Sequence, residues 1–148
     1  MEEMEIDAQL MREIIMDHYE YPRNHSLVED SNYISKHMDS DSCIDDITVQ
    51  ADVEDGKIKD IRFDGVACTI STASTSIMTE LVQGKSLDEA KQIIDNYFAM
   101  INEKDYDADL LEEAIAFKNV GKQANRINCA TIGWKALKQI IDESEAKA

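Results

Sequence analysis

Three cysteines, Cys43, Cys68 and Cys129, stand far apart in the chain, and the first has a carboxylate two residues on, in Cys43-Ile44-Asp45. If they serve one site, the fold has to bring three distant connections to one place. Each falls at an element boundary in the sequence pattern. Cys43 and Asp45 come just before a strand, Cys68 follows a hairpin and precedes a helix, and Cys129 opens the last helix. Thiolate sulfur and carboxylate oxygen are both zinc donors, and three thiolates with one Asp would complete a tetrahedron. There is no Cys-x-x-Cys, so spacing alone leaves an equal alternative of three unrelated buried thiols.

The hydropathy pattern supplies the elements around these residues. Ala8, Met11, Ile14, Ile15, His18 and Tyr19 recur at helical spacing, and Pro22 closes that segment. Ser31 to Met38 is a candidate first strand, and the polar stretch Asp39 to Asp46 carries Cys43. Ile47, Val49, Ala51 and Val53 alternate strictly, Asp55-Gly56 marks a turn, and Ile61 and Phe63 resume the alternation up to Gly65, which predicts a hairpin. A helix follows Cys68, with a first turn rich in Ser and Thr and with Gly84 as its C-terminal cap. Ser86-Leu87-Asp88-Glu89 has capping-box form, and Leu87, Ala90, Ile94, Tyr97 and Ile101 give the next helix an apolar face. A shorter helix is expected over Asp109 to Phe117, a loop over Gly121 to Asn128, and a final helix from Cys129. This order predicts an α+β fold, a small antiparallel three-stranded sheet covered on one face by helices. Cys68 and Cys129 would then both lie near helix N-termini, where backbone N–H groups and the helix dipole favour thiolate.

A chain of 148 residues fits one domain spanning 1–148 that buries roughly two-thirds of its unfolded surface, with residues 1–7 expected to be flexible. The odd cysteine count, the acidic start Met1-Glu2-Glu3-Met4-Glu5 and the lack of a bilayer-length apolar run predict a reducing, cytoplasmic setting. A net charge of -16 argues against nucleic acid and anionic membrane as partners, because phosphate binding needs basic surface. From Ala114 to Ile141 there is no acidic residue, while Lys118, Lys122, Arg126, Lys135 and Lys138 are basic, so Cys129 sits in a basic stretch. Cys43 is flanked by Asp39, Asp41, Asp45 and Asp46, which disfavours a free thiolate; a bound cation would reverse that.

Other chemistry-bearing residues read as structural. His18 falls on the apolar helix face and is expected to be packed, whereas His25 and His37 are expected in solvent. Met16, Met78 and Met100 are expected as core filler, and Tyr97 and Trp134 as packing residues. No His-Asp pairing supports a nucleophilic serine in the run after Cys68, and no phosphate-binding glycine loop is present.

Several stretches together resemble the U-type iron–sulfur assembly proteins, specifically the SufU branch of the IscU/NifU-N family. They are Met16-Asp17-His18-Tyr19 with Tyr21-Pro22-Arg23-Asn24, Cys43-x-Asp45, Gly65-Val66-Ala67-Cys68-Thr69-Ile70-Ser71-Thr72-Ala73-Ser74, and Arg126 through Cys129 to Leu137. IscU-type members carry His directly before the last Cys, where this chain has Asn128, and the Cys68-to-Cys129 segment has the greater length of the SufU branch. The resemblance implies a SufE/IscU-like fold and a zinc held by Cys43, Asp45, Cys68 and Cys129. It also implies that Cys43 accepts a persulfide from a SufS-like pyridoxal-phosphate cysteine desulfurase, for delivery to a downstream iron–sulfur assembly complex. Arg126 matches a family arginine placed to support a displaced thiolate through charge-assisted hydrogen bonds. The helix around His18 to Asn24 and the basic loop near Lys122 and Arg126 are the expected docking surface.

The first ligand loop departs from the family. SufU proteins read Asn-Pro-x-Cys-Gly-Asp there, whereas this chain has no Pro from Asp39 to Asp45 and carries Ile44 in the glycine position, which restricts the loop. Two alternatives to sulfur transfer stay open. One is a scaffold that builds and hands over an iron–sulfur cluster, since thiolates suit such clusters. The other is a non-catalytic adaptor in which zinc only stabilises the fold, a contribution on the order of 10 kcal/mol.

Overall fold

The computed structural model describes residues 8–39 and 45–147. Helix α1 (Ala8–Glu20) leads into three strands, β1 (Tyr33–Asp39), β2 (Asp46–Glu54) and β3 (Lys57–Val66), which form one antiparallel sheet in the order β1-β2-β3. Helices α2 (Thr69–Val82), α3 (Leu87–Ile101), the short α4 (Ala108–Leu111) and the long α5 (Ala124–Lys147) follow. The expected α+β architecture is the one the chain adopts.

Strict alternation places Ile47, Val49 and Ala51 of β2 on one face, opposite Gly65, Phe63 and Ile61 of β3. The side chains of Ile47, Val49, Ala51, Ile61 and Phe63 are buried and form the floor of the core. Helix α5 packs over β1 and β2 and helix α2 over β3, while α1 lies against α2. The β2–β3 turn has positive φ at both central residues, Asp55 (54°) and Gly56 (74°), which is the geometry a tight hairpin prefers. Ser86 and Glu89 form the reciprocal capping box at the start of α3.

Helix α2 is built unlike an ordinary core helix, because Ser71, Ser74, Thr75, Ser76 and Thr79 are all buried. Small side chains let α5 approach closely. A Cβ at Gly133 would lie 2.4 Å from Thr75 Oγ1. Polar groups along this crossing are tied to one another: Ser74 Oγ and Tyr97 Oη each donate to the Ala130 carbonyl at 2.6 Å, and Trp134 Nε1 donates to Ser74 Oγ at 2.9 Å. The Tyr97 and Trp134 rings stack at 3.9 Å and 6°. Burial pushes the Tyr97 phenol well above its ordinary range, so it stays a donor. Tyr97 and Trp134 are thus packing residues with a polar role.

Three expectations are corrected. Helix α5 begins at Ala124, not Cys129, so most of the segment expected as a loop from Gly121 is helical, after a 3₁₀ turn at Val120–Lys122. Ile127 packs on the core there, and tertiary burial overrides the loop-like composition of Asn125 and Asn128. The helix expected over Asp109 to Phe117 divides into α4 and a 3₁₀ stretch, Glu112–Phe117, at Glu112, whose φ is 46°. Met16 is exposed, unlike Met78 and Met100, which are core residues as expected. Residues 1–7 lie outside the described residues.

The tight helix crossing is testable. Gly133→Ala is expected to lower stability by about 1–3 kcal/mol through overpacking against Thr75, and adding Thr75→Ala is expected to restore part of it. Denaturant unfolding of the two single variants and the double variant checks both.

Candidate metal centre

Asp45 stands directly before β2, and its side chain is 2% exposed. Gly65 lets the end of β3 come close to this point: it pairs with Ile47 at φ 139°, and a Cβ on it would meet the Asp46 carbonyl oxygen at 2.0 Å. The chain leaves β3 at Val66, and Cys68 becomes the N-cap of α2 with extended backbone angles and a side chain that accepts from Ser71 N–H. That sulfur is half-buried at the mouth of the helix. Cys129 is buried on α5, which the crossing with α2 holds against the same spot.

The result is a convergence of Asp45, Cys68 and Cys129, with one donor atom from each within 4.8 Å of the others. Two thiolates and a carboxylate are donors a zinc ion accepts at about 2.0–2.3 Å each, and the donor set fits that ion. The pocket is already arranged for an anionic ligand. Cys68 N–H donates to Asp45 Oδ1 at 2.8 Å, the Ser71 hydroxyl donates to Asp45 Oδ2, and Cys68 Sγ lies 4.0 Å from Oδ2. A buried carboxylate costs a great deal unless it is hydrogen-bonded or faces a cation, and this one has two donors and two cysteines beside it.

The structure brings together three of the four residues expected to hold a metal; Cys43 and Ile44 lie outside the described residues. Cys129 is not at a helix N-terminus as expected but in the second turn of α5, beyond the first-turn N–H groups that have no intrahelical partner. Of the two described cysteines, Cys68 alone has the helix-start environment. Arg126 is three residues before Cys129 on the same helix face, is exposed, and lines an apolar groove of about 340 Å³ together with Thr69 and Ile70, which follow Cys68. Ser71 was legible only as part of a hydroxyl-rich helix start; its placement three residues after an N-capping cysteine is the signal that marks it.

A second grouping, His18 with Glu80 and Glu113, is explained by hydrogen bonding. Ser76 Oγ accepts from Arg23 N–H at 2.8 Å, which leaves its own proton for His18 Nδ1 at 2.8 Å, and His18 Nε2–H donates to Glu113 at 3.0 Å. His18 is therefore the packed histidine expected, fully buried and satisfied at both nitrogens. His25 and His37 are exposed as expected, each beside a carboxylate, Asp64 and Asp46 respectively.

Gly65→Ala is expected to cost about 1–3 kcal/mol of stability, since the backbone there is one that side chains rarely adopt, and to weaken metal binding by moving the strand end beside Asp45. Thermal melting and metal titration of the variant check this.

The NifU-like N terminal domain family matches residues 10–148. The zinc-dependent sulfurtransferase SufU of Bacillus subtilis (strain 168) is 35% identical over 92% of this chain and 92% of its own length. The iron–sulfur cluster assembly scaffold protein IscU of Streptococcus pyogenes serotype M1 is 36% identical over 88% of this chain and 82% of its own. Among solved structures, a SUF-system protein from Fervidobacterium islandicum AW-1, described as an iron–sulfur cluster assembly scaffold, superposes with a TM-score of 0.80 at 31% identity. That match covers 87% of this chain and 94% of the other. With the family match running from within α1 to the end of the chain, and these relatives aligned along most of it, the chain belongs to the NifU-like N-terminal domain family of iron–sulfur assembly proteins.

Proposed function

We propose that this chain is a zinc-dependent sulfur acceptor that takes persulfide sulfur from a SufS-like pyridoxal-phosphate cysteine desulfurase and passes it into iron–sulfur cluster assembly. The ligand set is Cys43, Asp45, Cys68 and Cys129. The observation that carries this reading is the convergence of Asp45, Cys68 and Cys129 within 4.8 Å, in a chain similar throughout to a zinc-dependent sulfurtransferase. Bound zinc holds the coordinating thiols deprotonated at neutral pH.

The chemistry then belongs to the protein's own residues. Cys43 acts as the acceptor: its thiolate attacks the outer sulfur of the desulfurase persulfide, a new S–S bond forms on Cys43, and the desulfurase cysteine leaves as thiolate. Asp45, Cys68 and Cys129 stay in place, held by β2, by the cap of α2 and by α5. Arg126 supports the exchanging thiolate with a charge-assisted hydrogen bond. The groove beside Arg126 and the end of α1 form the docking side for the desulfurase. Among the described residues no helix is long and apolar enough to cross a membrane, and reduced thiols fit a cytoplasmic setting.

The scaffold reading has an observation of its own in the similarity to IscU of Streptococcus pyogenes. The two readings differ in what the purified chain carries. Zinc near one per chain, held less tightly by Asp45→Ala, supports the acceptor; a stable visible chromophore formed from iron and sulfide in competition with zinc supports the scaffold.

Cys43→Ser is expected to leave the fold intact and to reduce sulfur acceptance from purified desulfurase to the level seen with no acceptor, followed by mass spectrometry of trapped persulfide. Full acceptance by that variant would exclude Cys43 as the acceptor. Arg126→Ala is expected to slow transfer without loss of zinc.

A further inference from the structure

Ser71 is fully buried, in the first turn of α2, and touches two of the metal-site residues at once. Its hydroxyl donates to Asp45 Oδ2 and lies 3.4 Å from Cys68 Sγ, and its backbone N–H reaches the same sulfur at 3.5 Å. A serine hydroxyl has one proton to give. A carboxylate oxygen is a much better acceptor than a cysteine sulfur, so the proton goes to Oδ2, while Cys68 N–H occupies Oδ1 at 2.8 Å. With the Cys68 N–H on Oδ1 and the Ser71 hydroxyl on Oδ2, the carboxylate is held in one orientation. The residue is too far inside, and too occupied by its two contacts, to serve as a surface helix cap.

We infer that Ser71 is a positioning residue for the metal ligand Asp45: its hydroxyl orients the carboxylate against Cys68 and thereby sets how tightly the site binds zinc. The inference rests on the reading of Asp45, Cys68 and Cys129 as a metal site and adds to it a residue that is not itself a ligand. Hydrogen-bonding partners of metal ligands typically account for 10–100-fold in metal affinity, which gives the scale of the effect. Acting through Asp45, Ser71 should matter only while Asp45 is present.

The test is a zinc titration against a chromophoric chelator with the full chain, Ser71→Ala, Ser71→Thr, Asp45→Ala and the Asp45→Ala/Ser71→Ala double variant. The Asp45→Ala chains keep all three cysteine thiolates. Ser71→Ala is expected to weaken zinc binding about 10–100-fold. Ser71→Thr, which keeps the hydroxyl, is expected to recover most of that loss, and the double variant to bind as Asp45→Ala does. Cobalt in place of zinc adds a structural readout, with Ser71→Ala expected to shift the visible bands and Ser71→Thr to leave them near those of the unaltered chain. Zinc binding by Ser71→Ala as tight as that of the unaltered chain would overturn the inference. An equal loss in the Asp45→Ala background would do so as well, since it would mark Ser71 as supporting the fold and not the carboxylate. Failure of sulfur transfer with these affinity differences intact would remove the proposed function and leave the Ser71 inference standing, whereas an unaltered chain that binds no zinc removes both.

Discussion

The close crossing of α2 and α5 is the constraint on which the rest of this structure depends. Of the two described cysteines of the candidate metal centre, Cys68 caps α2 and Cys129 sits in the second turn of α5, so the distance between the helices sets the distance between the sulfurs. Gly133 against Thr75 permits the approach, and the Ala130 carbonyl, shared by Ser74 and Tyr97, fixes the sliding position of α5 one residue beyond Cys129. A hydroxyl-rich buried helix is a costly way to build a core unless its oxygens have partners. Most of those in α2 do, through the Ala130 carbonyl, Trp134, His18 and Asp45. Thr75 Oγ1, at the tightest point, has no hydrogen-bond partner among the described residues, which is the local cost of that proximity.

Electrostatics and packing work together at the site. The chain is strongly acidic, yet the carboxylate that matters is withdrawn from solvent and given donors, while the segment that brings Cys129 carries the basic residues Lys122 and Arg126. A cation among Asp45, Cys68 and Cys129 would replace the solvent that these groups have lost, and the hydrogen bonds from Cys68 and Ser71 already offset part of the cost of burying the carboxylate. An apolar groove between α1, the start of α2 and the start of α5 runs from Arg126 to Thr69 and Ile70, which follow Cys68 in the chain.

Much of this was legible in the residues. Strict alternation in Ile47 to Val53 and the Asp55-Gly56 turn specify a hairpin with one buried face, because a strand has a side-chain period of two. The capping box at Ser86 and the apolar face of α3 are local signals of the same kind. The start of α5 was not legible, since Gly121, Asn125 and Asn128 favour a loop locally and only the burial of Ile127 on the core makes that turn helical. Met16 is exposed because it falls outside the apolar spacing of Met11, Ile14, Ile15 and His18, and residue type alone does not decide burial. Arg126 and Cys129 could be put on one helix only once that helix was known to start before both.

The amino-acid sequence by itself determined the order and type of the main elements, the pairing of β2 with β3, and the presence of the Cys68 thiol and the Asp45 carboxylate at element boundaries. These are properties of local pattern, written in periodicities of two and 3.6 and in turn and cap residues. Tertiary structure alone decided that Asp45, Cys68 and Cys129 meet within 4.8 Å, that Ser71 turns its hydroxyl onto Asp45, and that His18 is satisfied by Ser76 and Glu113. The reason is that ligand distances follow from the separation of packed elements. That separation is set by whichever small side chains meet at the crossing, here Gly133 and Thr75, and no local pattern announces which pair it will be.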